Sequence, residues 1–184
     1  MIKAAMNPKL VIRDFDKYLE DNGESFSAIV IGATALSILG VVNRQTQDVD
    51  VLDPRIPESI RKLAVDFVTF QARKGISLEP NWLNNGPQLV TEILDPGWKS
   101  RLQILYQGKA LTLQTLGRVD FLGTKLDAMC QRGDDFDDIV RMKPTKEELE
   151  KAVIWVKKQD VNPGWPNWVD MQAKKIAEAL SYAL

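Results

Sequence analysis

From Pro8 to Glu20 apolar residues recur at helical spacing. Leu10, Val11, Phe15, Tyr18 and Leu19 fall roughly on one face, and Asp21-Asn22-Gly23 ends the run. Phe26 to Ile31 is different: a short apolar run with β-branched residues, which predicts a buried strand. Gly32 closes it, and Ala33 to Leu39 predicts a short helix stopped at Gly40. After the polar loop Asn43 to Gln47, the segment Asp48-Val49-Asp50-Val51-Leu52 alternates with a period of two, the mark of a half-buried strand. Asp53-Pro54 stops that strand. Pro57 then begins a predicted helix to about Lys74, with Ile60, Leu63, Ala64, Phe67 and Val68 inward.

The stretch from Gly75 to Gly97 is rich in Asn, Gly and Pro and reads as irregular, with one short strand near Leu89 to Leu94. Two more strands, Arg101 to Tyr106 and Ala110 to Leu116, are joined by the turn Gln107-Gly108-Lys109. From there the pattern turns helical: about Arg118 to Gln131, then Asp134 to Met142 beyond Gly133. A third helix runs to about Lys158 behind the Thr145/Glu148 capping box, and a last one covers about Pro166 to Ala183. Mixed elements come first and helices afterwards. The expected fold class is therefore α+β, a mixed β-sheet core flanked by helices over residues 1–117 with a helical C-terminal part over 118–184.

Composition narrows the chemistry. The 184 residues are 45% hydrophobic and 27% charged, an ordinary globular balance. A net charge of −1 argues against gripping long nucleic acid by bulk positive charge, though a local basic cleft stays open. With one cysteine, Cys130, and no histidine, an internal disulfide is excluded and a zinc site or a His-based triad is disfavoured. A catalytic metal would need oxygen ligands, which favours magnesium or manganese. The apolar stretch Phe26 to Val42 is broken by Gly32, Thr34, Ser37 and Gly40, so no membrane span is expected. The N-terminal residues lack the features of a signal peptide, and the cytoplasm is the expected compartment.

Asp48 and Asp50 lie two positions apart on a predicted strand, which points both carboxylates to one face. Converging carboxylates repel unless a cation or a proton sits between them. A hard divalent ion bridging them to phosphate oxygens resolves the conflict and suits phosphoryl or nucleotidyl transfer. Taken alone, the pair fits a solvated strand face better than a metal site. The strand-to-helix turn at Gly32 adds backbone N–H groups suited to phosphate, and Thr34 adds a hydroxyl that could serve either a phosphate or the helix cap. Arg44, four residues before Asp48, could reach a phosphate or the carboxylates, or be a surface loop charge.

The run Ile29 to Leu52, IVIGATALSILGVVNRQTQDVDVL, resembles the signature of the nucleotidyltransferase superfamily that includes DNA polymerase β, and more closely its AbiEii-like bacterial branch. Gly32, Ala35, Gly40, Arg44, Thr46, Asp48 and Asp50 match in order and spacing. Ala33 stands where the family usually has Gly or Ser. Farther on, Lys125, Leu126, Ala128, Arg132, Asp135 and Asp138 match the branch's second cluster, and Lys125 and Arg132, seven apart, share a helix face. The resemblance implies Mg2+ (or Mn2+) on Asp48 and Asp50, and a nucleotide held around Gly32, Ala33, Thr34, Arg44, Thr46, Arg132 and Asp135. It implies Lys125 as a point charge on the triphosphate, with Asp135 or Asp138 orienting it or acting as base. It also implies a third carboxylate on a later strand. The strand Arg101 to Tyr106 carries Gln103 at the expected place, and Asp120 and Asp138 are the acidic alternatives.

The expected function is transfer of a nucleoside monophosphate from a nucleoside triphosphate to a hydroxyl on RNA, protein or a small molecule. The AbiEii-like likeness adds a toxin–antitoxin or phage-defence role with a cognate antitoxin as partner. Two alternatives remain: a degenerate transferase fold that binds a nucleotide or a partner, and a structural α+β domain with an incidental acidic pair. Trp155, Trp165 and Trp168, near Lys157, Lys158, Lys174 and Lys175, read as helix packing ahead of base stacking. Cys130 reads as a core residue.

Overall fold

The computed structural model describes residues 6–43 and 45–182. The chain divides into two compact units, one of residues 1–92 with 102–116 and one of residues 93–101 with 117–184. The segment 93–101, which the sequence pattern assigns to the first part, therefore belongs with the C-terminal helices.

The first unit holds α1 (Pro8–Asp21), β1 (Phe26–Ile31), α2 (Gly32–Ile38), β2 (Val49–Asp53), α3 (Glu58–Ala72), β3 (Leu83–Asn84), β4 (Gln103–Gln107) and β5 (Leu111–Thr115). The five strands form one mixed sheet in the order β3-β2-β1-β5-β4. β1 runs antiparallel to β2 and parallel to β5, and β2 runs parallel to β3. β1 is buried on both faces over most of its length, with Ala28, Ile29, Val30 and Ile31 all inside, as expected of a strand between two covered sheet faces. The apolar stripe of α1 meets α3 in an aromatic cluster. Phe15 lies 5.1 Å from Phe67 and 5.0 Å from Trp82, edge-on to the latter, and the Trp82 indole donates to the Ala64 carbonyl at 3.0 Å.

In one place the unit differs from the sequence expectation. The strand expected near Leu89 to Leu94 is a 3-10 turn, Gln88–Glu92, and the short strand lies earlier at Leu83–Asn84. Two residues carry no periodicity, so only the pairing Val49↔Leu83 and Asp50↔Asn84 reveals β3.

The second unit holds a 3-10 turn at Trp98–Arg101 and four helices: α4 (Arg118–Arg132), α5 (Phe136–Met142), α6 (Lys146–Val156) and α7 (Trp165–Ala179). α4 ends at Gly133, whose φ of 82° allows the left-handed turn. The capping box at the start of α6 is present, the Thr145 hydroxyl and the Glu148 carboxylate each accepting the other's backbone N–H. α4 and α6 approach closely because Gly123 has no side chain: a Cβ there would lie 2.9 Å from the Trp155 ring. The Trp155 indole donates to Ile93, that of Trp165 to Val156 and that of Trp168 to Cys130, so these rings join elements together. Trp168 keeps 41% of its surface exposed. The expected end of the last helix at Ala183 lies outside the described residues, and α7 closes at Ala179. Among the described residues no helix is long and apolar enough to cross a membrane.

Candidate functional site

In the first unit, the loop leaving α2 returns to the sheet and delivers Asp48 just before β2, with Asp50 one step inside the strand. Both are half-buried, between the fully buried Val49 and Val51. Alternate residues share a face, so both carboxylates leave the strand on the same side.

The backbone that presents Asp48 is held by two threonines. Thr46 forms a two-way bridge with Met6, N–H to carbonyl at 2.7 Å and 3.1 Å. The Thr34 hydroxyl donates to the Asp48 carbonyl at 2.6 Å and lies 3.1 Å from the Thr46 hydroxyl. Thr34 is 1% exposed. The hydroxyls of Thr34 and Thr46, both expected at the nucleotide, are engaged inside the protein, and their effect is to position Asp48. Thr34 does not cap α2 either, since no side chain caps that helix. Ala33, half-buried in the first turn of α2, brings no hydroxyl to the site. Arg44 lies outside the described residues.

Asp50 is enclosed by glycines. Gly32 turns from β1 into α2 at φ +78°, and a Cβ on it would sit 2.8 Å from Asp50 Oδ2. On the other side, a Cβ on Gly86 would lie 3.9 Å from Asp50 Oδ1 and 2.8 Å from Asn84 Oδ1. Two glycines thus let bare backbone approach one carboxylate closely. Asn84 stands beside Asp50 in register on β3, and its Oδ1 accepts from the Gly86 N–H at 2.7 Å. Its neighbour Asn85 ties the turn down: it accepts from Ile56 N–H at 2.8 Å and donates to the Val51 and Pro54 carbonyls. Sequence reasoning passed over these residues as part of an irregular stretch. The available signal was the Asn85-Gly86 pair, a strong turn marker, two positions after the aliphatic Leu83.

The place expected for a third acid is also corrected. Gln103 is exposed on β4, at the far edge of the sheet from β2. The later strand that borders β2 is β3, and its residue beside Asp50 is Asn84.

In the second unit, Lys125 is 7% exposed and its ammonium donates to Asp135 at 2.6 Å and Asp138 at 2.8 Å. Arg132 adds a bond to the other oxygen of Asp135 at 3.3 Å. Asp135 sits in the left-handed region at φ 76°, between α4 and α5, and Asp138 is buried. The four residues form one ion cluster of equal positive and negative charge. Asp120, the other alternative for a third acid, is committed to a bidentate pair with Arg101 at 2.7 Å and 2.8 Å. Burial, with the charge of Asp127, pushes the Cys130 thiol up to about 11, so it is protonated at neutral pH and is a core residue.

Among the described residues no group of three or more His, Cys, Asp or Glu side chains is placed to hold a metal ion. The oxygen-only pair Asp48 and Asp50 fits magnesium, which binds through one or two carboxylates and completes its shell with phosphate oxygens and water.

Residues 9–150 match the profile of a family described as nucleotidyltransferase of unknown function (DUF6036). Comparison with curated proteins gives no match. Among solved structures, an antigenic nucleotidyltransferase-like protein from Paracoccidioides brasiliensis aligns with a TM-score of 0.48 at 17% identity, over 98% of this chain and 96% of that one.

Proposed function

Since the chain belongs to the DUF6036 family of nucleotidyltransferases, we propose that it binds a nucleoside triphosphate with Mg2+ or Mn2+ at Asp48 and Asp50 and transfers the nucleoside monophosphate to a hydroxyl acceptor on RNA, protein or a small molecule, releasing pyrophosphate. The observation that carries this reading is the acidic pair on β2, held by Thr34 and Thr46 and flanked by the bare Cα atoms of Gly32 and Gly86. Asp48 and Asp50 would hold the cation, which when bound supplies the charge that offsets the triphosphate and its developing negative charge. The half-buried setting strengthens each carboxylate's interaction with a cation by excluding part of the surrounding water. Within the second unit, Lys125 is held by Asp135 and Asp138, with Arg132 beside it.

The arrangement of residues 29–52 supports the finer assignment to the AbiEii-like branch, and with it a toxin or phage-defence role in the cytoplasm opposed by a cognate antitoxin. A second reading is favoured by one observation: both Ala33 and Asn84 are neutral where a transferase gains from a hydroxyl and an acid. On that reading the fold binds a nucleotide or a partner without turnover.

The test is to incubate the protein with magnesium and labelled nucleoside triphosphates in a lysate and follow label onto RNA or protein. Asp48→Asn and Asp50→Asn are expected each to reduce transfer at least a hundredfold, in line with the loss of a charge-stabilising group at a reacting centre. Transfer that survives both substitutions removes the proposal. Binding of nucleotide without any transfer selects the second reading.

A further inference from the structure

The side chain next to Asp50 is an amide, and its orientation is set. Asn84 lies in register with Asp50 on the parallel strand β3, which places the two side chains side by side on one face of the sheet. The Gly86 N–H donates to Asn84 Oδ1 at 2.7 Å and so fixes which end of the amide is which. The nitrogen end, Nδ2, donates to nothing among the described residues, and Asn84 is only half-buried. A Cβ on Gly86 would lie 2.8 Å from Asn84 Oδ1 and 3.9 Å from Asp50 Oδ1, so the bare glycine lets the turn close against both side chains.

We propose that Asn84 is a substrate-binding residue of this site, its Nδ2 donating to a phosphate oxygen of the bound nucleoside triphosphate. The proposal rests on the nucleotide-binding reading of Asp48 and Asp50. Its chemistry follows from the residue type. An amide cannot take a proton from an acceptor hydroxyl, and a neutral amide oxygen already engaged by Gly86 is a poor third ligand for a hard cation. What Asn84 has left to offer is a pair of N–H donors beside two carboxylates, where a polyanion neutralised by a cation would lie. A third carboxylate at this place would add repulsion against the triphosphate, whereas a neutral donor adds none. It follows that the two carboxylates hold the cation weakly by themselves and more tightly together with the nucleotide.

Calorimetry on the full chain tests this with two probes: a non-hydrolysable nucleoside triphosphate analogue in the presence of Mg2+, and Mn2+ alone. Asn84→Ala removes the donor and is expected to weaken analogue binding roughly tenfold, the size of one hydrogen bond, while Mn2+ alone binds as to wild type. Asn84→Asp keeps an oxygen for the Gly86 N–H, so the turn is preserved if Asn84→Ala disturbs it. It is expected to weaken the analogue at least tenfold and to tighten Mn2+ alone several-fold. Asp50→Asn serves as the control for the parent reading and should abolish both. If both Asn84 variants bind the analogue as wild type does while Asp50→Asn loses it, the role of Asn84 is wrong and the site stands. Tighter analogue binding by Asn84→Asp also overturns the proposal, because Asn84 would then face the cation. If wild type binds no analogue, or Asp50→Asn binds it unchanged, the nucleotide site itself falls.

Discussion

Asp16, on α1, shows how one residue can anchor a distant hairpin. Its carboxylate accepts from the backbone N–H groups of Ala110 at 2.8 Å and Leu111 at 2.7 Å, from the Tyr106 hydroxyl at 3.0 Å and from Lys109 N–H at 3.3 Å. Gly108 is bare because a Cβ would collide with that carboxylate. Burial raises the Asp16 pKa, but the bonds from Ala110, Leu111, Tyr106 and Lys109 outweigh it and hold the group below its ordinary value of 3.8. Burial, with the bond to Asp16, pushes the Tyr106 hydroxyl up to about 12. A depressed folded-state pKa means that the ionised form stabilises the fold fully above the unfolded value, and that this stabilisation is lost as pH falls through the folded value. Asp16→Asn should therefore melt at a lower temperature than wild type at pH 7, with the gap closing as pH falls below the ordinary value of 3.8. A gap that stays constant over that range in thermal melts would show that the charge of Asp16 contributes nothing. In the sequence, Asp16 is one polar residue on an amphipathic helix. Its partners lie more than ninety positions away, so only the folded chain identifies its role. The same holds for Thr34 and Thr46. A threonine near a glycine turn suits phosphate as well as structure, and the choice was made by burial.

At the scale of elements, the longer helices and the strands with clear alternation were legible because periodicity and end signals agreed. Asn7 caps α1 through its side chain, Gly133 ends α4 and the Thr145/Glu148 box starts α6. The α4–α5 junction is a different case. Lys125 and Arg132 share a face of α4, but their pairing with Asp135 depends on that residue's left-handed backbone, a conformation that no spacing rule anticipates for aspartate here. Lys125→Met removes the positive charge between buried Asp138 and half-buried Asp135, the latter keeping its bond to Arg132. The expected loss is about 3 kcal/mol in denaturant unfolding, the cost of breaking a buried pair from one side. A loss below about 1 kcal/mol would mean that the cluster is well solvated and that Lys125 is available to a ligand without rearrangement. The short strand β3 was missed for the opposite reason. Two residues carry too little pattern, and the strand exists only because β2 offers it a partner.

At the scale of the whole molecule, strand order decides which residues can serve one site. In the order β3-β2-β1-β5-β4, two strands separate β4 from β2, so Gln103 is about 14 Å from the acidic strand at ordinary strand spacing. Gln103→Asp should therefore leave Mn2+ affinity unchanged within error, whereas Asn84→Asp should raise it. Equal gains from both substitutions in a Mn2+ titration would contradict this placement. The sequence by itself determined the α+β class, the extents of most elements and the acidic pair on its strand, because all of these rest on local periodicity and on the chemistry of adjacent residues. Only the tertiary structure decided what surrounds that pair: that Gly32 and Gly86 bring bare backbone close to Asp50, that Thr34 and Thr46 hold Asp48, and that Asn84 rather than Gln103 stands beside them. Those relations are set by strand pairing between segments tens of residues apart, and the side-chain pattern within any one segment does not specify its neighbour.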